Sequence, residues 1–333
     1  MNQAKALLKK NKWLMVAVLV VIALVLPLIV TSESTCGIFV RVVLYMLLAT
    51  GLNLTNGYSG QFNIGSAGFM CVGAYTAGIL ATRMDTHFIF AAILAGLVAS
   101  VFGLLLSLPT SRLSGMYLSL VTMGFSEIIR VIALNWSSVT GGAFGVKNIP
   151  NPVFFGTKIV STKQYYYLIL AMLLIVLFMA YRVLNSRVGR AWISIRENPD
   201  AASSLGINIR NYKVLNLMVS AFVAGLGGAF MAYYYRYIAS DMFTIAAGHE
   251  VLAMVVLGGM GTLGGPLLGA TVINILTEVF RFAEEYRMIG YALLVIIMMW
   301  VRPQGLIGAG NSSLALSKSN SKKKSRKVEG KGV

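Results

Sequence analysis

Cysteine and histidine are scarce in this 333-residue chain: Cys36 and Cys71 are its only cysteines, His87 and His249 its only histidines. Two cysteines cannot build a disulfide scaffold. Two histidines are too few for a histidine-based metal centre, and no metal site is expected. Charge is scarce as well. Charged residues make up 12% of the chain, against roughly 25% in a soluble domain. That is too little to cover a water-facing surface. Signatures of catalysis and nucleotide binding are missing too. The chain has no G-x-x-x-x-G-K-[ST] loop, no G-x-S-x-G elbow and no H-E-x-x-H pair, so it is not expected to be an enzyme or to hold a nucleotide in a P-loop.

What fills the chain is apolar. Hydrophobic residues make up 57% of it, which excludes disorder over most of its length. The length allows about ten membrane spans of about 20 residues each. Apolar runs at about 13–30, 38–55, 62–82, 88–108, 116–134, 164–181, 214–236, 247–260, 267–281 and 288–301 supply that number. The run 247–260 is short, about 21 Å as a helix. The first run ends in no convincing cleavage site, so an uncleaved span is expected. The fold class expected is an all-α polytopic membrane protein.

The net charge of +17 is not a nucleic-acid signal. Nineteen of the 28 Lys and Arg lie in the segments 1–12, 55–61, 109–115, 182–213 and 302–333, which alternate with the apolar runs as the positive-inside rule requires. Both termini are expected in the cytoplasm. Three regions follow: a basic N-terminus 1–12, a membrane domain 13–308 with a cytoplasmic loop 182–213, and a basic, disordered tail 309–333. The tail has no aromatic residue after 311, so nucleic acid is not an expected partner. A solvated end or contact with anionic membrane lipid is.

Charges inside spans are functional suspects. Glu127 with Arg130, and Glu278 with Arg281, are spaced to pair on one helix face. No relay of Asp, Glu and His runs through successive spans, which counts against a proton-coupled carrier. The glycines of Gly258, Gly259, Gly261, Gly264 and Gly265, followed by Pro266, break the helical pattern. Gly259-x-Gly261-x-x-Gly264 matches a dinucleotide pattern, but it follows an apolar span and not a βαβ strand.

Residues 182–213 read as a structured loop. Val188 to Arg196 is short, basic and amphipathic. Asn198 can cap a second short helix with Pro199 in its first turn. Asp200 suits the positive helix end, and Gly206 can end the helix. This stretch resembles the coupling loop of ATP-binding cassette importer permeases, in detail the branched-chain amino acid permeases of the LivM type. Three further stretches carry the same resemblance: Gly51–Gly65, Ser114–Phe125 and Val256–Pro266. The resemblance covers roughly 38–308.

The resemblance implies a type II ABC importer permease fold with a cytoplasmic coupling helix, in the cytoplasmic (inner) membrane of a bacterium or archaeon. It implies import of leucine, isoleucine and valine. A LivH-like permease, LivG-like and LivF-like ATPases and an extracytoplasmic amino-acid-binding protein would be the partners. ATP and Mg would sit in the ATPases, with no cofactor in this chain. Arg190, Arg196, Glu197, Asn198, Ala201, Ala202 and Gly206 would dock and shape the coupling loop, the two alanines fitting a groove closed to larger side chains. Asn53, Asn56, Gln61, Asn63 and Ser66 either line the translocation pathway or join helices by hydrogen bonds. Urea, short amides or other amino acids are alternative substrates. A secondary carrier without an ATPase and a structural membrane subunit are the other classes.

Overall fold

The computed structural model describes residues 32–279 except 85, 114, 155 and 156, together with 21, 23–27, 296, 300 and 305–307. The long helices are α1 (Glu33–Asn53), α2 (Ser66–Met84), α3 (Phe88–Thr110), α4 (Met116–Asn135), α6 (Thr162–Leu184), α9 (Ile209–Tyr235), α10 (Ile245–Gly258) and α11 (Gly265–Val279). A π-helical turn, Leu54–Tyr58, continues α1. There are three short α-helices, α5 (Ser137–Thr140), α7 (Arg187–Glu197) and α8 (Pro199–Ser204), and two 3-10 turns, Gly142–Phe144 and Ser240–Phe243. Among the described residues the only strands are two of two residues each, Val153–Phe154 paired with Thr157–Lys158.

Five of the helices, α1 with its π-turn, α3, α4, α6 and α9, are long and apolar enough to cross a membrane. The shorter α10, at 14 residues, measures about 21 Å. The observed helices follow the apolar runs closely. The expected first and last spans, 13–30 and 288–301, lie mostly outside the described residues, and so do 1–12 and 309–333. The third run is expected to turn helical from 62, whereas the helix begins at Ser66. Asn56 and Asn63 cause the delay. Asn56 Nδ2 donates to Asn63 O at 3.0 Å, and Asn63 N donates to Asn56 Oδ1 at 3.1 Å. That exchange closes residues 57–63 into a loop, with Gly60 at φ +69°, a region glycine enters without strain.

The bundle is built around α9, the most enclosed of the five candidate spans. Its small residues let neighbours approach to backbone contact. A side chain at Gly73 of α2 would strike the Gly225 backbone of α9. Small residues serve this purpose in lipid, where close packing replaces the hydrophobic effect. Polar joints add to it. Asn216 Nδ2 donates to Leu54 O at 2.9 Å and Ser220 Oγ to Gly51 O at 2.9 Å, fixing α9 to α1. Gly73→Val is expected to prevent close packing of α2 on α9. Overpacking costs about 1–3 kcal/mol or more, and backbone atoms cannot move aside as side chains do. The detergent-solubilised variant should lose its monodisperse elution peak while its messenger level stays normal.

At the end of the bundle opposite α7, the described residues between α5 and α6 fold back onto the helices. Ile149 is buried beside Gly78 of α2 and Ile238. The segment after α9 pairs with it through Val146 and Ile238.

Candidate functional site

The site is the junction of α7, the π-turn and the glycine break between α10 and α11. Its pieces come from three distant stretches of sequence. Ser186 caps α7, its hydroxyl accepting from Val188 N at 3.1 Å. The helix is amphipathic, burying Gly189, Ala191, Trp192 and Ile195. Gly189 lies so close to α6 that a side chain there would strike the Leu184 backbone. Trp192 is completely buried. Its ring packs in a small core with Leu54 and Tyr58 of the π-turn and Ala180 and Leu184 of α6. Its indole Nε1 donates to Tyr212 O of α9 at 2.9 Å. One side chain therefore ties α7 to three membrane segments.

Arg196, at the far end of α7, makes the second tie. Its Nη1 donates to Gly57 O at 2.6 Å, and its Nη2 bonds Glu197 Oε1 at 2.6 Å. Two glycines make room for it. A Cβ at Gly60 would lie 2.8 Å from Arg196 Cγ, and one at Gly261 would lie 2.6 Å from Nη1. Asn53 closes the junction from the α1 side. Its Nδ2 donates to Thr262 O at 2.8 Å and its Oδ1 accepts from Gly261 N at 2.9 Å. The glycine break is thus held at both of its backbone polarities by one amide.

The break itself is a tight helix-to-helix corner. Gly259 (φ +113°) and Gly261 (φ +77°) adopt conformations open to glycine. A side chain at Gly258 would strike Gly265 O, and one at Gly269 would strike Met254 O, so α10 and α11 cross in backbone contact. Thr262 Oγ1 donates to Gly259 O at 3.1 Å and accepts from Gly265 N at 3.0 Å. Leu306 N and Ile307 N donate to Leu257 O and Gly258 O, satisfying the last carbonyls of α10. The dinucleotide-like glycine pattern is accounted for by this corner. Gly264 is adjacent to Ile307 and Pro266 stands in the first turn of α11.

Beyond α7, residues 198–206 are exposed except for Ala202. Asn198 caps α8 as its residue type suggests, accepting from Ala201 N at 3.0 Å. Gly206 (φ +81°) ends the turn, with Ile207 N donating to Ala202 O at 3.1 Å. The two alanines do not share a face. Ala201 is exposed, whereas Ala202 is 2% exposed and packs inward, because adjacent residues on a helix point about 100° apart. Leu205, which sequence reasoning missed, is 81% exposed at the tip. Arg190 is exposed on the outer face of α7, its Nη1 on Asn185 O at 3.2 Å.

Asn53, Asn56, Gln61, Asn63 and Ser66 are all buried. Asn53 and Asn56 are engaged as described. Gln61 Nε2 reaches Ser59 Oγ at 2.8 Å and Lys213 O at 3.2 Å. Asn63 Oδ1 accepts from Gly65 N at 2.7 Å, but its Nδ2 has no partner among the described residues, and neither do Ser66 Oγ and Thr55 Oγ1. Helix α4 caps this region: Thr122 Oγ1 accepts from Ile64 N at 3.1 Å and Ser126 Oγ from Gly68 N at 2.9 Å. Within spans, Glu127 pairs with Arg130 as its spacing suggests, and Tyr45 OH donates to Glu250 at 3.3 Å. Arg281, the expected partner of Glu278, lies outside the described residues.

An apolar helical bundle with interrupted helices meeting a riveted amphipathic surface helix defines a multi-pass membrane protein. Residues 34–301 match the model of a family described as branched-chain amino acid transport system, permease component, and the chain belongs to that family. It is 36% identical over 331 residues to the high-affinity branched-chain amino acid transport system permease protein LivM of Escherichia coli K12, covering 92% of this chain and 77% of that protein. It is 23% identical over 312 residues to a probable LivM of Methanocaldococcus jannaschii, covering 79% and 90%. It is also similar to the permease protein LivH of Escherichia coli K12, 24% identical over 286 residues, covering 79% and 91%. No solved structure matches the chain.

Proposed function

We propose that this chain is a permease subunit of an ATP-binding cassette importer that carries leucine, isoleucine and valine across the cytoplasmic membrane of a bacterium or archaeon. In this reading a LivH-like subunit completes the pore. LivG-like and LivF-like ATPases bind ATP and Mg. An external binding protein delivers the amino acid. About ten spans put both termini in the cytoplasm, on the side of α7 and α8. The family and its LivM and LivH relatives support the substrate class.

One observation carries the mechanism. The base of the 182–213 segment is riveted to the bundle by Trp192 and Arg196, while its tip at Ala201, Leu205 and Gly206 is open to a partner. An ATPase seated on that tip could move the segment as a lever. The motion would pass through Trp192 to α6 and α9, and through Arg196 to the π-turn and the glycine break. Helix breaks of this kind suit a zwitterion with an apolar side chain, because they turn backbone dipoles toward a path.

Gly206→Arg tests the docking tip. A Cβ there meets nothing within 4 Å, so the chain itself has room for the side chain. The left-handed backbone costs a non-glycine residue about 1–2 kcal/mol, too little to unfold a bundle of this size. The variant should insert normally and lose the ATPases in a pulldown; normal association would contradict the docking role. The substrate is tested by uptake of labelled leucine in cells with and without the gene, with redundant leucine carriers removed. Loss on deletion, with competition from isoleucine and valine and not from urea, is expected. Unchanged leucine uptake would move the substrate to urea, an amide or another amino acid.

A further inference from the structure

Glu127 and Arg130 stand inside a helix long and apolar enough to span a membrane. Glu127 lies about 12 Å from the Asn135 end and about 16 Å from the Met116 end, at 1.5 Å per residue. Arg130 Nε donates to both carboxylate oxygens of Glu127, each at 3.0 Å. The side chains nonetheless remain 36% and 25% exposed.

Besides an exposed apolar face that includes Leu120, Ile128 and Ile132, helix α4 has two flanks. One is the buried seam of Ser119, Thr122, Ser126, Ile129 and Ala133, with Thr122 and Ser126 bonded to the start of α2. The other carries Met123, Glu127 and Arg130, spaced four and three apart and so on one face. Each of these three is only partly covered.

Lipid is a poor neighbour for that second flank, because a charge in the middle of a bilayer is expensive. Arginine can lower the cost by snorkelling to a membrane surface. Arg130 does the opposite, turning its guanidinium toward Glu127 and the middle of the helix. The flank therefore calls for water or another protein.

We propose that this flank borders the amino acid's path where the chain meets the second permease subunit, with Glu127 receiving the ammonium and Arg130 the carboxylate. This rests on the importer reading above. The chemistry matches in sign and number: the pair offers one negative and one positive group, and an amino acid carries one of each. Before the substrate arrives the two groups satisfy each other. With it between them, each keeps an opposite charge as partner. The site is neutral in both states, so passage leaves no uncompensated charge in the membrane interior.

The test uses the full transporter with its native partner subunits. Met123→Cys is made after both native cysteines, buried free thiols, are replaced by alanine. A membrane-impermeant, water-borne thiol reagent should modify the new cysteine and block leucine uptake. Separately, Glu127→Gln and Arg130→Gln should each lower the maximal uptake rate at least tenfold with all subunits still copurifying. The reversed pair, Glu127→Arg with Arg130→Glu, should not restore it. A purely structural ion pair would tolerate reversal, whereas a chiral zwitterion needs each group in its place. A cysteine at 123 that the reagent does not reach, or a reversed pair transporting at the parental rate, overturns the proposal. Leucine import by the parental transporter keeps the importer reading standing in either case.

Discussion

Replacing Arg196 by alanine is expected to lower leucine uptake at least tenfold while the chain still inserts and assembles. The guanidinium is the only side-chain link from α7 to the Gly57 carbonyl among the described residues, at 2.6 Å. It also fills the space that Gly60 and Gly261 leave open. A hydrogen bond to a charged group contributes about 1.5–3 kcal/mol. Arg196 is partly exposed, so the lower end of that range applies. A loss of that size at a mechanical joint corresponds to roughly tenfold in rate, at about 1.4 kcal/mol per factor of ten. Lysine should be intermediate, since it can reach one acceptor but lacks the planar fork that serves Gly57 and Glu197 together. The readouts are uptake in cells and copurification of the ATPases. Undiminished uptake by the alanine variant would remove Arg196 from the coupling path.

Trp192→Ala is expected to have the largest effect on stability. The ring is fully buried among Leu54, Tyr58, Ala180 and Leu184, and truncating a buried tryptophan costs about 3–5 kcal/mol. The Tyr212 carbonyl also loses its donor. The thermal midpoint of the purified complex should fall, and ATP hydrolysis should no longer respond to loaded binding protein. Trp192→Phe separates the two contributions. It keeps most of the packing and loses one hydrogen bond, worth about 0.5–1.5 kcal/mol, so both readouts should be largely retained. Equal damage from both substitutions would mean that the indole N–H, and not packing, makes the joint.

The helices were legible because apolar runs of membrane length leave few alternatives. The α8 cap was legible too, since Asn198, Pro199 and Gly206 act through local backbone chemistry. The convergence of the Gly51–Gly65 stretch, the loop 182–213 and the glycine break was not legible. It depends on Asn53 reaching Gly261 and Arg196 reaching Gly57, contacts between residues more than a hundred positions apart. Trp192 was passed over because a tryptophan in a basic, amphipathic stretch is as easily placed at a membrane surface as in a core. Leu205 was missed because one leucine beside a helix-ending glycine has no pattern of its own. The late start of α2 came from the Asn56–Asn63 exchange, which outweighs the apolar character of the residues around it.

ATP dependence tests the central claim most directly. The purified complex of both permeases and both ATPases would be placed in lipid vesicles, with ATP and Mg enclosed and loaded binding protein outside. Labelled leucine should accumulate inside only with hydrolysable ATP, and the Arg196→Ala complex should accumulate little. Accumulation driven by an ion gradient without ATP would contradict the account and make this chain part of a secondary carrier.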